Sequence, residues 1–182
     1  MTLVRYEVSD NVAVISVDNP PVNALSPGVP GGIIDGLRQA NSDSSISAVV
    51  LIGEGRGFIA GADIRYFSKP WPEGEPRLGG VIEGIETSSK PVVAAIHGHA
   101  LGGGLELAMC CHYRVIVPQA RVGQPEVKLG IPPGAGGTQR LPRLAGVKAA
   151  LDMIVSGDPV TAEQSVSPVS YTHLTLPTIL LV

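Results

Sequence analysis

Apolar runs of strand length recur along this chain with helical segments between them, and that alternation limits the folds open to it more than any other feature. Val12-Ala-Val-Ile-Ser-Val17, Ala48-Val-Val-Leu-Ile-Gly53, Lys90-Pro-Val-Val-Ala-Ala-Ile96 and Tyr113-Arg-Val-Ile-Val117 are short and rich in β-branched residues. Strands of this kind need cover on both faces, which implies a mostly parallel sheet joined by crossover helices. The expected class is therefore a layered α/β fold. Residues 4–18 add two short strands around a turn at Asp10-Asn11. Helical spacing appears from about Pro30 to Ala40 (Ile33, Ile34, Leu37), from Leu78 to Ser88, and from Leu141 to about Val155 (Leu144, Val147, Ala150, Leu151, Ile154).

Composition narrows the function classes. The chain has 182 residues, 44% hydrophobic and 16% charged, which suits one folded domain and not a disordered tract. With a net charge of −3 and no Lys/Arg stripe, a nucleic-acid partner is not expected. The two cysteines, Cys110 and Cys111, are adjacent, so they offer neither a disulfide framework nor a two-pair metal site. No metal is expected. There is no charged-then-apolar leader and no run of eighteen apolar residues, so the expectation is a cytoplasmic chain with no membrane partner.

The chemistry-bearing junction is Ala100-Leu-Gly-Gly-Gly-Leu-Glu-Leu-Ala108, where an apolar run passes into a helix through Gly102, Gly103 and Gly104. A helix N-terminus exposes unpaired N–H groups, a ready site for a developing oxyanion, and Glu106 follows within the first turn. Tight strand-to-helix packing explains such glycines equally well. Glu106, flanked by Leu105, Leu107, Ala108 and Met109, is either solvent-facing or held for a purpose. Glu126 in Gly-Gln-Pro-Glu is a second acid, which alone reads as a solvated loop residue or a first-turn helix charge. No spacing rule brings residues 106 and 126 together. His97, His99 and His112 read as packing, surface or helix-end residues. The sequence contains no G-x-S-x-G, Walker A, G-x-G-x-x-G or H-E-x-x-H pattern.

Three longer stretches, taken in order, carry a resemblance: Phe58-Ile-Ala-Gly-Ala-Asp-Ile64, Lys90 through Ala108, and Val122-Gly-Gln-Pro-Glu through Arg143. They resemble the enoyl-CoA hydratase/isomerase (crotonase) family over about residues 4–164. Asn19-Pro-Pro-Val-Asn-Ala-Leu-Ser26 is most similar to the hydratase part of multifunctional β-oxidation enzymes. The resemblance implies a crotonase-like spiral of β-β-α repeats, here C-terminally incomplete. It implies hydration of trans-2-enoyl-CoA to 3-hydroxyacyl-CoA, with 3-enoyl to 2-enoyl isomerisation as a side activity. Glu106 and Glu126 become the catalytic pair, Ala60 and Gly103 the oxyanion donors, and Gly61, Ala62, Asp63 and Ile64 the coenzyme A contacts. No separate cofactor is implied, since coenzyme A arrives with the substrate. The implied partners are the acyl-CoA thioester and either a homotrimer or a fused 3-hydroxyacyl-CoA dehydrogenase.

The resemblance stops near Gln164. Residues 1–164 are expected to form the catalytic domain, and 165–182 a hydroxylated, apolar tail unrelated to it. That departure keeps open an inactive acyl-CoA-binding fragment, and an RNA-binding relative is the third class, disfavoured by the lack of a lysine-rich helix.

Overall fold

The computed structural model describes residues 2–165; apart from Ser165, the expected tail lies outside the described residues. The first two strands form the expected hairpin, β1 (Val4–Ser9) and β2 (Val12–Val17), turning through Asp10 at φ 53°. The other apolar runs become β3 (Ala48–Gly53), β4 (Val92–Ile96) and β6 (Tyr113–Ile116), in a five-stranded sheet of order β1-β2-β3-β4-β6. Every pairing after β1/β2 is parallel, with Ile15 beside Leu51 and Leu51 beside Ala94.

One helix covers this sheet and a second packs against the first. α1 (Val29–Ser42) buries Val29, Ile33, Leu37 and Ala40, one stripe at helical spacing, and α2 (Leu78–Glu86) buries Val81, Ile82 and Ile85. Each such aliphatic side chain contributes about 1.5–3 kcal/mol by leaving water. Among the described residues no helix is long and apolar enough to cross a membrane.

A second, three-stranded sheet was not legible in the sequence: β5 (His99–Leu101), β7 (Arg121–Gly123) and β8 (Val160–Thr161), in the order β5-β7-β8. Two or three residues are too few to show a period. These strands turn the supposed strand-to-helix junction into a β-β-α unit, β4 then β5 then α3 (Gly103–Cys110). The next turn of the spiral repeats it, with β6, β7 and a 3-10 turn at Pro125–Leu129. The fold is thus the expected α/β spiral of β-β-α repeats.

The single C-terminal helix expected from 141–155 is in fact two, α4 (Gly137–Ala145) and α5 (Val147–Ser156). Gly146 separates them at φ 78° and ψ 154°, a conformation no helix continues through. The break re-aims α5, so Val147 and Leu151 are exposed, while Ala150 and Met153 are buried. A four-residue helix, α6 (Ala162–Ser165), ends the described chain.

Gly104 shows how closely the layers meet. A Cβ built there would lie 2.0 Å from the carbonyl oxygen of Ile59, whose residue bridges to Ala100 of β5. Backbone on that side has no room to retreat. Gly104→Ala is expected to cost about 3 kcal/mol or more, roughly 6–12 °C in Tm for a chain of this size. A melting temperature within about 2 °C of the unsubstituted chain would remove this packing role.

Candidate active site

The site is built where α3 begins. Gly102 precedes the helix at φ 51° and ψ −126°, a conformation reserved for glycine, and its N–H donates to Gly123 O of β7 at 2.9 Å. That bond fixes the direction of the helix start against the second sheet. The amide of Gly103, the first helical residue, has no acceptor among the described residues, as expected for an uncapped N-terminus. It borders a cleft of about 400 Å³ whose wall also carries Ala60, Gly61, Ala62, Glu106, Glu126 and Ala135. Ile64, Phe67, Leu78, Leu129 and Ile131 make the rest of that wall largely apolar.

The structure brings the two acids to one cleft, which spacing alone did not. Glu106 is only 2% exposed, and its Oε1 accepts the N–H groups of Ala135 at 2.7 Å and Gly137 at 2.8 Å. Its other oxygen has no donor among the described residues, so it is free to accept from water or substrate. Glu126 stands in the first turn of the Pro125–Leu129 helix, 9% exposed, and a Cβ built on Gly102 would sit 3.0 Å from its Oε1. The wholly buried amide of Gln124, with its nitrogen turned to the carboxylate, donates to both Glu126 oxygens at 3.0 and 3.1 Å. Burial pushes the Glu126 carboxyl above the ordinary glutamate value, and the nearby charge of Glu106 adds to the shift.

Of the two amides expected as oxyanion donors, that of Gly103 is unpaired among the described residues and that of Ala60 is not. The Ala60 N–H donates to Val22 O at 3.2 Å and is unavailable to a ligand. Two residues on, the Ala62 N–H has no acceptor among the described residues, and its nitrogen lies 3.5 Å from where a Cβ of Gly103 would be. Ala62 and Gly103 therefore supply the neighbouring unpaired amides. No local motif signals this, because the choice depends on the pairing of the Ala60–Ala62 segment with residues 22–25, through Leu25 N to Gly61 O at 2.9 Å and the Leu25–Ala62 bridge.

Gly61, Ala62 and Ile64 line the cleft as expected of ligand contacts, with Ile64 60% exposed. Asp63 does not. Its buried carboxylate accepts from Ser26 Oγ at 2.8 Å and from Arg65 Nε and Nη2 at 2.9 and 2.8 Å. Those bonds, the Arg65 guanidinium's above all, hold it well below the usual carboxylate range. Its role is to anchor the loop. Asn19 extends the anchor by donating from Nδ2 to Ser26 Oγ at 2.9 Å, and Asn23 ties it to the Glu54 and Gly57 carbonyls at 2.8 Å each. Gln124, Ala135, Gly137, Ser26 and Asn23 were all missed as site residues by reasoning from sequence.

Nucleophilic readings find no support. Burial pushes the Cys110 thiol up to about 11 and Cys111 to about 12, which keeps both protonated near neutrality. His112 Nδ1 accepts the Val92 N–H at 3.1 Å, tying the helix end to β4. Among the described residues no three His, Cys, Asp or Glu side chains gather as a metal site would require.

Comparison with known proteins gives the family. The enoyl-CoA hydratase/isomerase family model matches residues 7–167. The peroxisomal bifunctional enzyme of Danio rerio is 52% identical over 164 residues, covering 90% of this chain and 23% of the relative. A probable enoyl-CoA hydratase of Bacillus subtilis (strain 168) is 43% identical over 170 residues, covering 91% of this chain and 66% of the relative. The crystal structure of enoyl-CoA hydratase from Bacillus anthracis superposes with a TM-score of 0.81 at 33% identity, covering 90% of this chain and 66% of that one. The chain thus spans about a quarter of the bifunctional relatives it matches.

The raised pKa of Glu126 has a stability sign. A carboxyl whose folded pKa exceeds its unfolded value favours the fold below the unfolded value, and that contribution fades as pH rises through the folded one. At pH 7, above the unfolded value, the Glu126 carboxyl therefore costs stability. Glu126→Gln, which keeps a hydrogen-bond acceptor for Gln124, is expected to raise Tm at pH 7, with the gain shrinking toward pH 4. An equal Tm difference at both values would contradict the burial of this charge.

Proposed function

We propose that this chain, which belongs to the enoyl-CoA hydratase/isomerase family, adds water across the double bond of a trans-2-enoyl-CoA to give the 3-hydroxyacyl-CoA, the hydration step of fatty acid β-oxidation. The observation that carries the reading is the meeting of two buried carboxylates, Glu106 and Glu126, with the two unpartnered amides of Ala62 and Gly103 on one cleft.

Each group then has a task. The thioester oxygen accepts from the Ala62 and Gly103 N–H groups, which stabilise the charge it gains as the conjugated system is attacked. The free oxygen of Glu106 orients a water and takes one proton while the water oxygen bonds to the β-carbon. Glu126, held toward its protonated form by burial, gives a proton to the α-carbon. One O–H bond and one C=C π bond are lost, one C–O and one C–H bond are gained, and solvent exchange resets the two carboxyls. The Ala135 and Gly137 amides hold Glu106 while it works. Coenzyme A enters as part of the substrate, against Gly61, Ala62 and Ile64, and no further cofactor enters the scheme.

A side activity has its own support. A single carboxyl with a raised pKa beside the α-carbon suits the proton shuttle of a 3-enoyl to 2-enoyl shift, so Glu126 alone serves isomerisation. Relatives named as bifunctional or multifunctional extend well beyond the part this chain matches, which supports a second activity joined to this domain; a 3-hydroxyacyl-CoA dehydrogenase there would take the product onward. The cytoplasm is the proposed compartment; since several relatives are named as peroxisomal, imaging a fluorescently tagged chain in its host decides between the two.

Hydration of crotonyl-CoA, followed by loss of the conjugated thioester absorbance, tests the reading. Glu106→Gln and Glu126→Gln are each expected to lower kcat by about 10²–10⁴-fold. Binding of the thioester without turnover would favour the acyl-CoA-binding fragment instead, and turnover unaffected by either change would sink the mechanism.

A further inference from the structure

The turn that grips Glu106 is itself held, and by a side chain from outside the cleft. Ala135 and Gly137 give their N–H groups to Glu106 Oε1, and the first of the two carbonyls between those amides belongs to Ala135. That carbonyl accepts from Arg140 Nη1 at 3.1 Å, while Arg140 Nη2 donates to Glu86 Oε1 on α2. The backbone closes the same loop, with Arg140 N donating to Gly136 O at 2.8 Å and Gly136 in the left-handed region at φ 94°. The guanidinium is only 26% exposed. Such a two-pronged cation fixes a direction, which a lysine cannot do.

We propose that Arg140 is a positioning residue for Glu106, acting through the Ala135–Gly137 turn, and that Glu86 holds Arg140 in place for it. The inference rests on Glu106 being the base of the hydration reading above. Through this linkage α2 reports to the catalytic carboxylate, although none of its charged residues touches the cleft. Neutralising Arg140 frees the Ala135 carbonyl, lets the turn relax, and leaves Glu106 buried with its amides out of line. Binding of the thioester is untouched, because Arg140 does not line the cleft and its contacts are to the Ala135 carbonyl and Glu86.

Steady-state hydration of crotonyl-CoA, with a double-mutant cycle, tests this. Arg140→Gln is expected to lower kcat about 10- to 100-fold, the range for a small misplacement of a reacting group, with KM changed by no more than about twofold. Glu86→Gln, which leaves Arg140 in the chain, is expected to show the same split with a smaller loss, and it carries the test if Arg140→Gln does not fold. The decisive comparison is with Glu106→Gln: once the base is gone, Arg140→Gln or Glu86→Gln should lower residual turnover no further. Equal losses with and without Glu106, or a loss confined to KM, would overturn the proposal while leaving Glu106 as base. Full activity of Glu106→Gln would remove the base itself, and this inference with it.

Discussion

A buried carboxylate has to be satisfied or neutralised, and the way Glu106 is satisfied organises everything around it. An ionised group taken out of water without partners costs several kcal/mol, more than a domain can spare. Two main-chain amides from a single tight turn meet that demand on one oxygen and leave the other free. For the turn to come this close it needs Gly137, where a Cβ would lie 2.9 Å from Glu106 Oε1, and α3 needs Gly104 where it meets the Ile59 carbonyl. The glycines, the turn and the acid are one requirement seen from three sides.

The opposite wall depends on a separate polar chain. Asn23, Asn19, Ser26 and Asp63 pass hydrogen bonds from the loop after β2 to the loop carrying Ala62. Every link is shorter than 3 Å, and Asp63 is anchored from both sides by Ser26 and Arg65. This chain sets which amide of the Ala60–Ala62 segment is left unpaired. A preorganised donor needs such a support, since an amide that must reorient during the reaction contributes far less.

What the sequence shows and what it hides follow from range. Val12–Val17 and Ala48–Gly53 announced themselves as strands because burial on a sheet needs continuous apolar residues, and β2 and β3 occupy those ranges. Glu106 and Glu126 were visible as candidates because acids among leucines and glycines are costly without a purpose. The three short strands of the second sheet were hidden, since their pairing is entirely long-range. Leu141–Val155 read as one helix because the apolar spacing runs across Gly146, where only the three-dimensional path reveals the break. The pairing of the Ala60 amide is hidden for the same reason: it depends on a partner thirty-eight residues upstream, Val22, and not on its own motif.

Cys110 gains a meaning once an enoyl thioester is the substrate. Such a compound is an electrophile at the very carbon that receives water, and an exposed thiolate beside it would be alkylated, ending the enzyme's life in one encounter. Cys110 lies one helical turn from Glu106 and donates from Sγ to the Glu106 carbonyl at 3.1 Å. Burial that pushes its pKa up to about 11 leaves only a trace of nucleophile at neutral pH. The packing that buries Cys110 on α3 would thereby also shield the protein from the proposed enoyl thioester.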